Sequence, residues 1–306
     1  MSPLNIGAWV IATLLSAVAL PAAVAATSVD SHFHVISPAN WEQSRLATQG
    51  LIDGPIDGNA AIRLLDAAGL DKAVVISSGY LIGDPGPARA ENDFVASLVK
   101  AHPDRFFGLC SVSVNHEGAL EEVERCMNDL DLSGLKLHLF ADAISLTDPE
   151  GVAIVDSFFK QVASAKQGAP VLIDFNWMDD AQTIAMIQLV MANPETTVVL
   201  AHGLGHHFAE LINVKIFRNA LGMDVENFYI DISATLLNYP PDSPPFANYI
   251  WHLRMLGADR VLLGSDYPAV TPKDTVEAFL KMGWSPEEQR LIQGGNAVKV
   301  FGNLSR

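Results

Sequence analysis

Short apolar runs alternate along the chain with longer stretches whose apolar positions recur every three or four residues. The first pattern predicts strands buried on both faces, the second amphipathic helices. The predicted strands are Thr27–Phe33, Lys72–Ser77, Phe106–Val112, Gly134–Phe140, Pro170–Phe175, Thr197–His202, Asn227–Ser233 and Arg260–Asp266. Between and after them fall helical patterns over Asn59–Ala68, Glu91–Ala101, Gly118–Leu130, Val152–Lys166, Ala181–Ala192, Phe208–Leu221, Phe246–Leu256 and Lys273–Lys281, with a last helix over Glu287–Phe301. Gly69, Gly168, Gly222 and Gly257 stand where C-caps are expected, and Pro103 and Pro194 follow helix ends. Strict β–α alternation over this length predicts a single-domain (β/α)8 TIM barrel. Ser37 to Gly58, the longest insertion after a strand, is expected to form a lid, and Pro240 to Pro245 a second stiff loop.

No charged side chain precedes Asp30. An apolar run from Trp9 to Leu20, Pro21 and the small-x-small pattern Ala23-Val24-Ala25 predict a secretory signal peptide over residues 1–25, leaving the barrel domain over 26–306. The expected location is periplasmic or secreted. No stable membrane association is expected after cleavage, because no later run is long enough for a span of ~20 residues. The net charge of −16 excludes nucleic acid and anionic membrane surfaces as expected partners. A small-molecule substrate is expected instead, and a homodimer is compatible with the sequence. Cys110 in a strand and Cys126 in a helix read as buried free thiols, with one disulfide as the alternative in an oxidising compartment.

In a barrel, the C-terminal strand ends form the active-site face. His32 and His34 share a face of strand one, because side chains two apart point the same way. His138, Asp174, His202 and Asp266 close strands four, five, six and eight. Six ionisable groups on one face are hard to explain as core packing, since buried charge is costly without a partner. A bound divalent cation is the simplest partner. Imidazole and carboxylate together suit Zn²⁺, with Mn²⁺ or Fe²⁺ as alternatives. Lys136 lies in phase with His138 and either pairs with a carboxylate or lines the pocket. Trp177, Arg45 and Tyr267 are further candidate pocket residues, each with a loop or packing role as the alternative. His206, His207 and Asn176 are weighed the same way.

Several segments together resemble the amidohydrolase-related barrels, which include aminocarboxymuconate-semialdehyde decarboxylase. They are Asp30-Ser31-His32-Phe33-His34, Lys136-Leu137-His138, Ala201-His202-Gly203 and Gly264-Ser265-Asp266-Tyr267-Pro268, with Glu91-Asn92-Asp93-Phe94 and His102-Pro103-Asp104-Arg105-Phe106. The resemblance implies that His32, His34 and Asp266 ligate the metal. It makes His202 a catalytic histidine that orients water or substrate, and Asp266 a general base. The departure is on strand five, where the family usually carries a histidine ligand and this chain has Asp174. Either Asp174 is a ligand, or His138 takes that place. The expected activity is metal-dependent hydrolysis of an ester, lactone or amide. Nonoxidative decarboxylation of a small aromatic or unsaturated acid is the first alternative, and a metal-binding barrel that has lost its chemistry the second. A decarboxylase needs a cation for the carboxylate. Arg45 and Arg89 are the loop arginines placed for it, and this scarcity favours hydrolysis at the level of sequence.

Overall fold

The computed structural model describes residues 27–42, 50, 52–174, 179–220 and 226–302. Eight parallel strands follow one another in chain order around the sheet. They are β1 (Val29–Val35), β2 (Lys72–Ser77), β3 (Phe106–Ser111), β4 (Gly134–His138), β5 (Pro170–Asp174), β6 (Thr197–Leu200), β7 (Phe228–Asp231) and β8 (Val261–Leu262). The barrel closes between β8 and β1. Ser31 N donates to Leu263 O at 2.8 Å, Asp266 N to His32 O at 2.8 Å, and His34 N to Tyr267 O at 3.0 Å. Gly264 permits this seam, because a Cβ there would lie 3.0 Å from the His32 Cβ.

The outer helices are α1 (Gly58–Ala68), α2 (Pro85–Ala101), α3 (Ala119–Asn128), α4 (Pro149–Ala165), α5 (Asp180–Ala192), α6 (Leu211–Ala220), α7 (Phe246–Leu256), α8 (Pro272–Leu280) and the short α9 (Pro286–Arg290). Their starts follow capping chemistry. Asp57, Asp84, Asp179 and Thr271 accept backbone hydrogen bonds at N-caps, and Ser285 with Glu288 forms a capping box. Asp179 therefore caps α5, which leaves Asp174 to the site. Their apolar faces pack on the outside of the barrel in one large core.

Inside the barrel, Val29, Val74, Ile76, Leu109, Leu172, Val199, Tyr229 and Leu262 fill the lower layer, with Ala297, Val300 and Phe301 closing beneath. These apolar layers raise the polar strand ends into one mouth.

Four expectations change. The predicted final helix is α only over Pro286–Arg290. It continues as wider π-helical turns, Leu291–Gly295 and Val298–Gly302. There Gly294 packs so close that a Cβ would meet the Thr27 carbonyl. The predicted helix after strand six starts as a 3₁₀ run, Ala201–Glu210, because His202, Gly203 and Leu204 are left-handed. Strands β6 and β8 stop before His202 and Asp266, which have φ of 63° and 61°. Cys110 and Cys126 are not free: one disulfide joins β3 to α3.

Arg45, Trp177, Asn176, Gly222, residues 43–49 and 51 of the expected lid and the expected signal peptide lie outside the described residues. Among the described residues, no helix is long and apolar enough to cross a membrane.

Candidate metal centre and proton-donor pair

The first cluster comes from β1 and the turn after β8. His32 and His34 turn their Nε2 atoms to within 3.2 Å of each other. Asp266 Oδ1 lies 3.4 Å from both. Ligands at ~2.0–2.1 Å from a tetrahedral ion are about 3.4 Å apart, so these three atoms describe one face of such a shell. The donor set is also right chemically. His32 Nδ1 lies 3.1 Å from Asp231 Oδ2, which fixes the tautomer and leaves the Nε2 lone pair facing the triangle. Burial, reinforced by Lys136, lowers the His32 pKa to about 4, and burial lowers His34. Burial would raise Asp266, but the surrounding imidazoles outweigh it and hold the carboxyl at about 2. Two neutral imidazoles and an ionised carboxylate are the form a divalent metal binds, so these residues fit one.

Asp231 is the anchor behind this cluster. Its Oδ1 accepts from His202 N and Ser233 N, each at 3.0 Å, and from the Ser233 hydroxyl. Burial would raise its pKa, but His32 first, then His202 and Ser233, depress it. Asp30 lies at an irregularity in the β1–β2 pairing and accepts from His32 N and Ser265 N. Burial raises its pKa to about 7.

The second cluster surrounds Asp174 on β5. His202 Nε2 lies 3.1 Å from Asp174 Oδ2, His138 Nε2 3.5 Å and Lys136 Nζ 3.8 Å. The other nitrogen of His202 lies 3.1 Å from the Ser233 hydroxyl and 3.2 Å from the Ser233 carbonyl. With that hydroxyl donating to Asp231, both ring nitrogens face acceptors, an arrangement that favours the doubly protonated imidazole. Burial opposes that charge, but Asp174 and the other nearby carboxylates raise His202 to about 9. In turn His202, Lys136 and His138 hold Asp174 far below the usual carboxylate range against its burial.

The structure thus brings His32, His34 and Asp266 together, and sets Asp174, His138 and His202 in a contact group beside them; His202 borders both, within 4.8 Å of the ligand atoms of His32 and Asp266. Lys136 links the two, with Nζ 3.1 Å from His32 Nε2. Tyr267 stacks on Phe33, with ring centroids 5.0 Å apart. Arg89 pairs with Glu122 of α3 at 2.9 Å. Asp180 holds His207 at 2.7 Å.

Three residues escaped the sequence reading. Asp231 and Ser233 follow the same two-residue phase at the end of strand seven, a signal that was present. Tyr80 lies beyond β2 in a 3₁₀ turn and stacks on His138, centroids 4.9 Å apart. No spacing rule points to it.

Residues 29–303 match the amidohydrolase family profile. A 2-amino-3-carboxymuconate-6-semialdehyde decarboxylase from Dictyostelium discoideum is 24% identical over 241 residues, 69% of this chain and 65% of that protein. The match therefore spans just under two thirds of the relative's length. Among solved structures, 5-carboxyvanillate decarboxylase from Sphingomonas paucimobilis superposes with a TM-score of 0.65 at 17% identity, covering 90% of this chain and 98% of that one. A dihydroxybenzoic acid decarboxylase from Polaromonas, with bound manganese, gives 0.65 at 17%, covering 90% and 97%. A probable 2-pyrone-4,6-dicarboxylic acid hydrolase from Acinetobacter baumannii gives 0.63 at 20%, covering 90% and 99%. At these identities the superpositions show a shared fold.

Proposed function

The chain belongs to the amidohydrolase family, and on that premise we propose that it is a metal-dependent lyase. It removes CO2 from a small aromatic or unsaturated carboxylic acid. The observation that carries this reading is the placement of His202, whose two nitrogens face Asp174 and the Ser233 hydroxyl and carbonyl. Decarboxylation leaves an electron pair on carbon that must be quenched by a proton. The proton held between His202 Nε2 and Asp174 Oδ2 is placed for that delivery, whereas a hydrolase needs a group there that accepts one.

His32, His34 and Asp266 would hold the metal, with Zn²⁺ and Mn²⁺ the leading candidates. When bound, such an ion polarises substrate oxygen and stabilises charge that develops there. The residues' own work is the rest. Asp231 fixes the His32 tautomer, Ser233 and Asp174 keep His202 protonated, and buried neighbours exclude water. The C–C bond to the carboxylate breaks, its electrons stay on the substrate carbon, and His202 and Asp174 return one proton there. The decarboxylase relatives support the same choice. The scarcity of pocket cations, which favoured hydrolysis at the level of sequence, no longer argues against it, because Lys136 is buried inside the site.

Hydrolysis of an ester, lactone or amide is the second reading. Asp266 favours it, being held ionised where it could take a proton from water. The two separate in one assay on protein loaded with Zn²⁺ or Mn²⁺. Carboxyl-labelled aromatic and unsaturated acids should release labelled CO2, with deuterium from D2O at the vacated carbon. Cleavage of a lactone or ester panel with no CO2 from any acid would overturn the lyase reading.

A further inference from the structure

Lys136 takes no part in the proton transfer, yet it is fully buried on β4 between the two clusters. Its Nζ has two close neighbours, His32 Nε2 at 3.1 Å and Asp174 Oδ2 at 3.8 Å. N–H···O hydrogen bonds run ~2.7–3.2 Å, so Asp174 offsets its charge without accepting a well-formed bond. His32 Nε2 is closer, but that lone pair is the one a metal would claim. With it committed, the ammonium has three N–H donors and no acceptor at hydrogen-bond distance among the described residues. A buried ammonium left so is costly.

One anionic oxygen brought in by the substrate supplies the missing acceptor. The stacked rings of Tyr80 and His138 stand beside the same space, Tyr80 6.2 Å from the His34 ring, and suit a planar molecule.

We propose that Lys136 is the substrate-anchoring residue, its ammonium gripping an anionic oxygen of a small planar carboxylic acid next to the His32–His34–Asp266 face. It makes the site select acids over their neutral analogues. The proposal rests on the reading that the substrate is an organic acid, and its test needs no turnover.

Calorimetric titration of metal-loaded protein with benzoate and salicylate, and with benzamide and salicylamide, reads the preference directly. Elemental analysis of the same samples reports metal content. The wild-type protein should bind the acids at least about tenfold more tightly than the amides, as expected for a charge-assisted hydrogen bond in a buried site. Lys136→Met should abolish that preference at unchanged metal content, and Lys136→Arg should keep part of it. Equal binding of acid and amide by the wild type, no binding of either, or a preference surviving in Lys136→Met would each overturn the proposal. Should Lys136→Met fail to fold by circular dichroism, the wild-type titration and Lys136→Arg decide. Intact-protein mass spectrometry adds a second arm. A CO2 adduct on Lys136 would turn it into an anion that repels acids, and would also overturn the assignment. An acid preference without CO2 release from any acid would sink the lyase reading and leave the anchoring role standing. CO2 release without a Lys136-dependent preference would do the reverse.

Discussion

Asp174 is the residue at which family pattern and chain part, and its contacts redirect its role. Its described partners are the nitrogens of Lys136, His138 and His202, while His32, His34 and Asp266 form their own triangle. Asp174→Asn should therefore keep most of the bound metal, whereas His32→Ala with His34→Ala should lose it. Turnover in Asp174→Asn should fall by about 10²–10⁴-fold if proton delivery is lost. Metal loss equal to that of the histidine variant would make Asp174 a ligand instead. Asp174 also gives His202 a pH signature. The His202 pKa is raised from 6.5 to about 9 by its carboxylate neighbours against burial. A raised folded-state pKa contributes stability that is fully present below 6.5 and lost as pH rises through about 9. Chemical denaturation of the metal-free protein should show that decline, and Asp174→Asn should flatten it. A wild-type profile that is level across this window would refute the charged state of His202.

At the scale of elements, the seam between β8 and β1 decides whether the site exists. The turn after β8 carries Asp266 in a left-handed conformation, a backbone state uncommon for a residue other than glycine. The surroundings hold it there through Asp266 N to His32 O and Ser265 N to Asp30 Oδ1. Gly264 lets the two strands approach, since a Cβ would press on His32 at 3.0 Å. Gly264→Val should cost about 1–3 kcal/mol by overpacking and weaken metal affinity together with stability. Thermal melts of metal-free protein paired with metal titration would check it, and unchanged affinity would show that the seam does not position the triad. Strand and helix order was legible because period two and period 3.6 are local properties. The ends of β6 and β8 were not, because apolar character continues past the point where the backbone turns left-handed.

For the whole molecule, we propose export, on the sequence pattern of the N-terminal segment and the disulfide. Cys110 and Cys126 close a loop with a sequence separation of 16, and disulfides persist in oxidising compartments. We expect the mature chain from its native host to start near Ala26, as N-terminal sequencing would show. A soluble cytosolic protein still beginning at Met1 would contradict this. Cys110→Ser with Cys126→Ser should lower stability by roughly 3 kcal/mol from loop closure alone. A loss no larger than that of the reduced wild type would be expected if the bond carries the effect.

The sequence by itself determined the barrel and the mouth of the site. Alternation of apolar runs sets the layers, and polar residues at strand ends then have one face on which to meet. His32, His34, His138, Asp174, His202 and Asp266 are such residues, and all of them line the mouth. Tertiary structure decided how they divide. Which nitrogen faces which oxygen depends on angstrom-scale placement across β1, β4, β5, β6 and β7, and no spacing along one strand encodes it. Closure put Asp231 behind His32 and brought Lys136 of β4 to His32 of β1, 104 residues earlier, while the packing of α3 on β3 joined Cys110 to Cys126. The setting of His202 came from Asp174 at the end of β5 and Ser233 beyond β7, a matter of three-dimensional contact rather than of composition.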